Sequence, residues 1–440
     1  MDSNDLVIYN GIVMTVNPAF DIHRPGMVVI RGGCIVETGP RAPGQPLPPA
    51  PRHIDAEGGI VMPGLVNTHT HLPMTLFRGL ADDLPLDQWL NAHIFPAEAR
   101  HIDARTVRCG TRLACAELLL GGTTVCCDGY FFADQVAEAA AAMGLRAVIG
   151  QGVVDFPAPG VPDPAGNVEA ARNFVDRWQG RCPRIHPSIF CHSPYTCGRD
   201  TLVRAKTAAR AAGCLFQIHV AETEVERRES IAAHGRSPVG RLDDLGLWDE
   251  HTLAVHAVWV DRDDIEVLAR RRTAVSHNPQ SNMKLAAGVA PVPDFLAAGI
   301  TVGLGTDGCA SNNDLDLLRE MDTAAKIHKV TTGRPTVTDA RQVVEMATIA
   351  GARAIGLGDA IGSLEPGKRA DIVVLRADRP HLVPVYHPAS TVVYAATGAD
   401  VRHVLIDGHL VVRDGVLQTA DVKEILADAR QVAKTIARKH

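Results

Sequence analysis

Between residues 59 and 305 the sequence repeats one unit: a short apolar run, a polar loop, then a stretch with helical periodicity. Eight apolar runs read as strands, at 60–67, 121–127, 146–154, 184–191, 214–220, 252–260, 273–277 and 301–305. Helical spacing covers Thr106–Leu120, Asp134–Met143, Asp200–Ala212 and Asp263–Arg271, with Asp134, Asp200 and Asp263 expected as N-caps. Eight such units over roughly 300 residues predict an α/β fold, a (β/α)8 TIM barrel.

The two ends of the chain read differently. Residues 5–57 read as short strands separated by Gly and Pro turns, with a proline-rich surface connection within them at Pro40–Pro51. Strands return at 372–375, 391–394, 401–406 and 410–412. Each end is short for a separate unit. A composite β-sandwich of 1–58 and 366–440 is therefore expected beside a barrel of 59–365. Val422–Lys439 reads as a closing helix with Val422, Ile425, Leu426, Ala429, Val432 and Ile436 on one face, ending in the favourable basic run Arg438-Lys439-His440.

Composition narrows the partners. The chain has 440 residues, 46% hydrophobic and 21% charged, enough for a sizeable core. Its net charge of −6, with no basic block, gives no nucleic-acid or acidic-membrane signal. The apolar runs are too short to span a bilayer, and Met1-Asp-Ser-Asn-Asp lacks the features of a signal peptide. The ten cysteines are scattered, with no Cys-x-x-Cys. That argues against a zinc ribbon or a cysteine-ligated deaminase site, and fits reduced thiols in the cytoplasm.

Barrel enzymes work at the C-terminal ends of their strands. Here the first run ends in His69 and His71, which share one face of a strand. The fourth ends at His192, the fifth in His219 and Glu222, the sixth carries His256, the seventh ends at His277 and the eighth at Asp307. Core packing alone would put Val, Ile or Leu there. Three neutral imidazoles and one carboxylate, His69, His71, His219 and Asp307, suit one divalent metal, Zn2+ or alternatively Fe2+, with a position open for water. Such an ion lowers the pKa of water towards neutrality. Glu222, three residues beyond His219, suits a proton shuttle, and His256 a hydrogen bond to the attacking oxygen. His192 in place of a lysine on the fourth strand argues against a carbamylated-lysine bridge between two metals.

Pro63–His71, His219-Val-Ala-Glu222, His256-Ala-Val-Trp, Ser276 to Gly288 and Gly303 to Asp314 resemble the amidohydrolase superfamily, in its deaminase and chlorohydrolase branch. The likeness spans roughly residues 5–415, including Ile361-Gly-Ser-Leu-Glu-Pro-Gly-Lys-Arg-Ala-Asp-Ile. Trp89-Leu, Ile94-Phe-Pro-Ala-Glu98 and His192-Ser-Pro-Tyr-Thr-Cys narrow it to the 5'-methylthioadenosine/S-adenosylhomocysteine deaminases. That resemblance implies a nucleoside substrate and a homo-oligomer. Glu98 would bind the ribose hydroxyls, His192 would contact the nucleoside and Trp89 would wall the pocket. Water would attack C6 of the adenine ring. Glu222 would protonate the neighbouring nitrogen, Asp307 would take the water proton, and Glu222 and His256 would stabilise the tetrahedral state. One departure stands out. Some members carry arginines at and after the third strand, whereas here Gln151 and a loop from Ala158 to Glu169 without Arg or Lys follow it. Phe156, Pro157, Pro159 and Pro162 suggest an apolar wall instead. The alternatives are a guanine-type or s-triazine amidohydrolase of the same branch, and a non-catalytic binding module.

Overall fold

The barrel strands are buried almost throughout, as parallel strands covered on both faces must be; only His186 and Pro187, near the start of the fourth, are part-exposed. In the computed structural model, which describes residues 5–42 and 44–437, eight such strands run in sequence order. They are Leu65–Thr70, Thr123–Tyr130, Arg146–Val153, Ile185–Cys191, Phe216–Val220, Thr252–His256, Ala274–His277 and Val302–Leu304. Every neighbouring pair is parallel. The ring is drawn together where Asp307 N donates to His69 O, at 3.0 Å, across the eighth and first strands. The fold is thus the predicted barrel, with a second sheet built from both chain ends.

That second sheet has nine strands, running from 416–417 through 409–413, 401–406, 372–375, 60–63, 6–14 and 22–31 to 34–40, with 52–55 paired beside 6–14. Alternate residues Leu6, Ile8, Val28, Ile30, Ile372 and Val374 turn into one apolar core, while Met14, Met62, Val373 and Leu375 join the core shared with the barrel.

The expected first strand, 60–67, is divided. Ile60–Pro63 pairs within the terminal sheet and only Leu65–Thr70 enters the barrel. Gly64 is the crossing point: a Cβ there would lie 2.1 Å from Thr124 Oγ1, so no side chain fits. Thr391–Tyr394, expected as a strand, lies in the helix Pro388–Tyr394. Pro388 suits the first helical turn, and Val392 and Val393 bury themselves as helical neighbours, so tertiary packing overrides their β-propensity. The three expected aspartate caps each sit two positions past the cap, as the second residue of the helix. The caps are Phe132, Gly198 and Asp261, and Asp134 instead accepts bonds from Arg177 and Trp178. The sixth strand stops at His256 rather than 260, because His256 and Ala257 turn left-handed at φ 72° and 46°. The closing helix covers Val422–Ala437, with Ile425, Ala429 and Ile436 buried but Leu426 exposed. Its expected basic end, Arg438 to His440, lies outside the described residues.

Arg146 ties the two sheets together. It starts the third barrel strand and donates to Asp371 at 2.9 and 3.2 Å and to Asp407 at 2.6 Å, both from the terminal sheet. All three are buried, and the two carboxylates hold the guanidinium firmly charged. Removing one partner from a buried charge network strands the others. Arg146→Leu should therefore lower stability by about 3–5 kcal/mol in urea denaturation, and a loss below about 1 kcal/mol, the worth of an exposed ion pair, would deny this link its structural weight.

Candidate active site

Burial at the barrel mouth decides the chemistry of the histidines. Desolvation holds His69 down to about 4 and His219 further below its ordinary value. Both are therefore neutral at pH 7, the state in which imidazole ligates a metal. Their Nε2 atoms face each other at 3.1 Å. Asp307 Oδ1 lies 3.3 Å from Nε2 of both His69 and His71. Neighbouring histidines hold the Asp307 carboxyl well below the usual carboxylate range, against the effect of burial.

Ligand atoms of His69, His71 and His219 lie within 4.8 Å of one another, as do those of His69, His256 and Asp307. The two groups share His69. Facing lone pairs of neutral imidazoles beside an ionised carboxylate fit a divalent cation, which satisfies all of them at once.

Far atoms of these side chains are tied so that the near atoms aim inward. His71 Nδ1 donates to Gly129 O at 2.6 Å, which leaves Nε2 as the lone pair facing the site. Asp307 Oδ2 accepts from Ser281 Oγ at 2.7 Å and Ser311 Oγ at 2.8 Å, and Oδ1 accepts from Gly308 N. His256 Nδ1 is 2.9 Å from Asn282 Oδ1. His69 lacks such a tie: its Nδ1 is buried and unpaired. Ser281, Asn282 and Ser311 stand inside quoted motifs, but nothing in the sequence distinguished them from their neighbours.

Glu222 lies on the loop after the fifth strand, buried, with Oε2 3.8 Å from His256 Nε2. Desolvation raises its pKa. A carboxyl whose pKa is raised can carry a proton to a leaving group.

The same mouth opens into a cavity of about 530 Å³. His71, Glu98, Tyr130, His192, His219, Glu222, His256 and Asp307 line it, with Trp89, Phe95, Phe156, Pro157 and Pro159 as apolar wall. No arginine or lysine is among the described residues that line it. Glu98 comes from the helix Phe95–His101 and Trp89 from a π-helical turn, Trp89–Ile94, before it. Glu98 Oε1 accepts the Tyr130 hydroxyl at 2.6 Å, and burial pushes its carboxyl up to about 7. His192 is anchored at Nδ1 to the Thr196 hydroxyl, at 3.0 Å, with the rest of its ring lining the cavity.

Tyr130 was not anticipated, since the second strand was expected to stop at residue 127. Its only signal is an Asp and a Tyr directly after an apolar run. Gln151 stays out of the cavity: its Oε1 accepts from Ala133 N at 3.1 Å, at the start of the preceding helix. Pro162 also lies off the wall that Phe156, Pro157 and Pro159 form.

Comparison with known proteins gives a consistent likeness. The sequence pattern described as the amidohydrolase family matches residues 60–411. A 5-methylthioadenosine/S-adenosylhomocysteine deaminase of Syntrophobacter fumaroxidans is 47% identical over 432 residues, covering 98% of each chain. A 5'-deoxyadenosine deaminase of Methanosarcina mazei is 43% identical over 433 residues, again with 98% of each chain. The crystal structure of an adenosine deaminase from Xanthomonas campestris with bound zinc superposes with a TM-score of 0.96 at 38% identity, over 99% of each chain.

His219 Nε2, facing that of His69, completes the three-histidine group. His219→Ala should lose most of its bound metal by elemental analysis while far-UV circular dichroism keeps the barrel signature. Full metal content in that variant would remove His219 from the ligand set.

Proposed function

The chain belongs to the amidohydrolase family and is a hydrolase of carbon–nitrogen bonds in cyclic amidines; from that premise we propose that it deaminates an adenosine-type nucleoside, 5'-methylthioadenosine foremost, to the inosine form and ammonia. The relatives named for 5'-modified adenosines support the class. Zinc is the proposed ion, on the donor set and on the zinc-bound adenosine deaminase it resembles. Bound by His69, His71, His219 and Asp307, it would supply a nucleophilic water at neutral pH. Asp307 accepts a proton from that water. Glu222 delivers a proton to the ring nitrogen beside C6. Glu222 and His256 hydrogen-bond the tetrahedral state; the proton held by Asp307 passes to the amino group, which departs as ammonia, and Glu222 recovers its proton from the new hydroxyl.

The observation that carries the nucleoside reading is Glu98. A buried carboxylate in a largely apolar cavity needs donors, and Tyr130 supplies one. Two adjacent ribose hydroxyls supply more, as charge-assisted bonds. A guanine base or an s-triazine has no such pair, which is why those alternatives fit this cavity less well. With the carboxyl raised to about 7, Glu98 takes up a proton below that pH, and the ribose must displace it. KM for nucleosides should therefore rise as pH falls through 7, by up to about tenfold per unit, and the rise should be absent in Glu98→Gln. A flat KM profile through pH 7 in the unaltered enzyme would contradict this role.

The lining also sets substrate choice. 5'-Methylthioadenosine ends in a small apolar thioether, whereas S-adenosylhomocysteine carries a carboxylate there. Burying that carboxylate without a cation is costly, and Phe156, Pro157 and Pro159 offer none. One good charge-assisted contact is worth about 1.5–3 kcal/mol, so methylthioadenosine should be preferred roughly tenfold or more in kcat/KM. Ammonia release by the zinc-loaded protein across a nucleoside and base panel tests the reading. Equal or faster turnover of S-adenosylhomocysteine would sink the preference, and turnover of bases or triazines alone would sink the nucleoside assignment.

A further inference from the structure

The sequence Thr223-Glu-Val-Glu226 opens the helix Glu224–His234 and has the spacing of a capping box. Half of that box is present: Thr223 Oγ1 accepts from Glu226 N at 3.1 Å. The other half is redirected. In a capping box the glutamate reaches back to the N-cap amide. Glu226 instead passes Thr223 and binds the two preceding amides, Oε1 accepting from Ala221 N and Oε2 from Glu222 N, each at 2.8 Å.

Those two amides belong to the turn that presents Glu222. Ala221 is left-handed at φ 51°, a conformation that a residue with a Cβ holds only under constraint. Its successive N–H groups converge to form an anion cradle, and the Glu226 carboxylate fills it. From the other side, Ala221 O accepts from Val258 N at 3.0 Å and Trp259 N at 2.8 Å, just past His256. The peptide before Glu222 is thus gripped on both edges. Glu226 is buried, and it borders a neighbouring cavity rather than the one that Glu222 lines.

We propose that Glu226 is a positioning residue, which fixes the Ala221–Glu222 backbone so that the Glu222 carboxyl stands at the reacting atoms. The proposal rests on the reading of Glu222 as the proton carrier. Glu226→Gln keeps the size of the side chain, but its amide can accept from only one of the two N–H groups and turns an NH2 towards the other. The loss should fall on the chemical step. In the zinc-loaded enzyme, kcat should fall roughly 10–100-fold with KM within about threefold and metal content unchanged. Because Glu226 acts only through Glu222, E226Q should cost less than about threefold when added to E222Q, which itself loses ~10²–10⁴ in rate. Thr223→Ala removes the cap of the same helix and spares the cradle, so it should lower Tm while leaving kcat within about twofold.

A helix-stabilising role alone predicts otherwise: E226Q would lower Tm with near-normal kcat, or would cost its full factor again in the E222Q background. Either result would overturn the proposal. Near-normal turnover by E222Q would instead overturn the reading on which it rests, and the two failures are told apart by that single variant. Amide hydrogen exchange in the unaltered enzyme gives a check that needs no variant to fold. The Ala221 and Glu222 amides should be strongly protected, and rapid exchange at both would also refute the cradle.

Discussion

Everything at the barrel mouth depends on holding several polar groups closer together than water would leave them. Nε2 of His69 and Nε2 of His219 meet at 3.1 Å, and Asp307 approaches both His69 and His71 at 3.3 Å. Such crowding is held by anchors on the far side of most of these groups, His69 excepted. The anchors are the carbonyl behind His71, the two hydroxyls and the amide on Asp307, and the amide side chain behind His256. Backbone strain has the same origin. Ala221, His256 and Asp307 all take left-handed φ, at 51°, 72° and 62°. Each such residue costs on the order of 1–3 kcal/mol, and the closed ring of strands keeps them there.

The barrel was legible because its signal is repeated: eight apolar runs, six of them ending in a His, Glu or Asp that core packing does not call for. Metal-type side chains could be found the same way, since position at a strand end fixes where they point. Single-residue signals failed where a tertiary partner decides. Thr391-Val-Val-Tyr has strand propensity but packs as a helix. Asp134 has a free choice between capping its own helix and binding Arg177 and Trp178 on another, and only the folded chain reveals which it takes. Gln151 stands where some family members carry an arginine, and only the folded chain shows that its side chain turns to the Ala133 amide. The capping-box spacing at Thr223–Glu226 was visible in the sequence, but the left-handed turn that captures Glu226 was not.

Strand two shows most clearly how the metal cradle and the substrate cavity are joined. It supplies no metal-type ligand and gave no polar signal within its expected span. Three consecutive residues just beyond that span do the joining. Asp128 Oδ1 accepts from Leu72 N at 2.6 Å and Thr70 Oγ1 at 3.1 Å, the two residues that flank His71. Gly129 O accepts from His71 Nδ1. Tyr130 donates to Glu98 at 2.6 Å. Gly129 also leaves no room for a side chain, because a Cβ there would lie 2.5 Å from the Phe190 ring. That ring stands 5.2 Å from His219 and 5.8 Å from His71, centroid to centroid.

A shift of strand two would therefore move His71 and Glu98 together. The distance between the metal-type cluster and the buried carboxylate is set by one rigid element, although the two groups come from distant parts of the chain. A nucleoside has a fixed span from the reacting carbon of its base to its ribose hydroxyls. A site that must meet both ends gains from a single ruler between them, because errors in two independent supports would add. The apolar wall, by contrast, comes from the loop residues Phe156, Pro157 and Pro159, from the π-helical turn at Trp89–Ile94 and from Phe95 at the start of the Glu98 helix. Phe156, Pro157 and Pro159 lie outside strand two's hydrogen bonds to His71 and Glu98, so that part of the wall can change without altering the distance from the histidine cluster to Glu98.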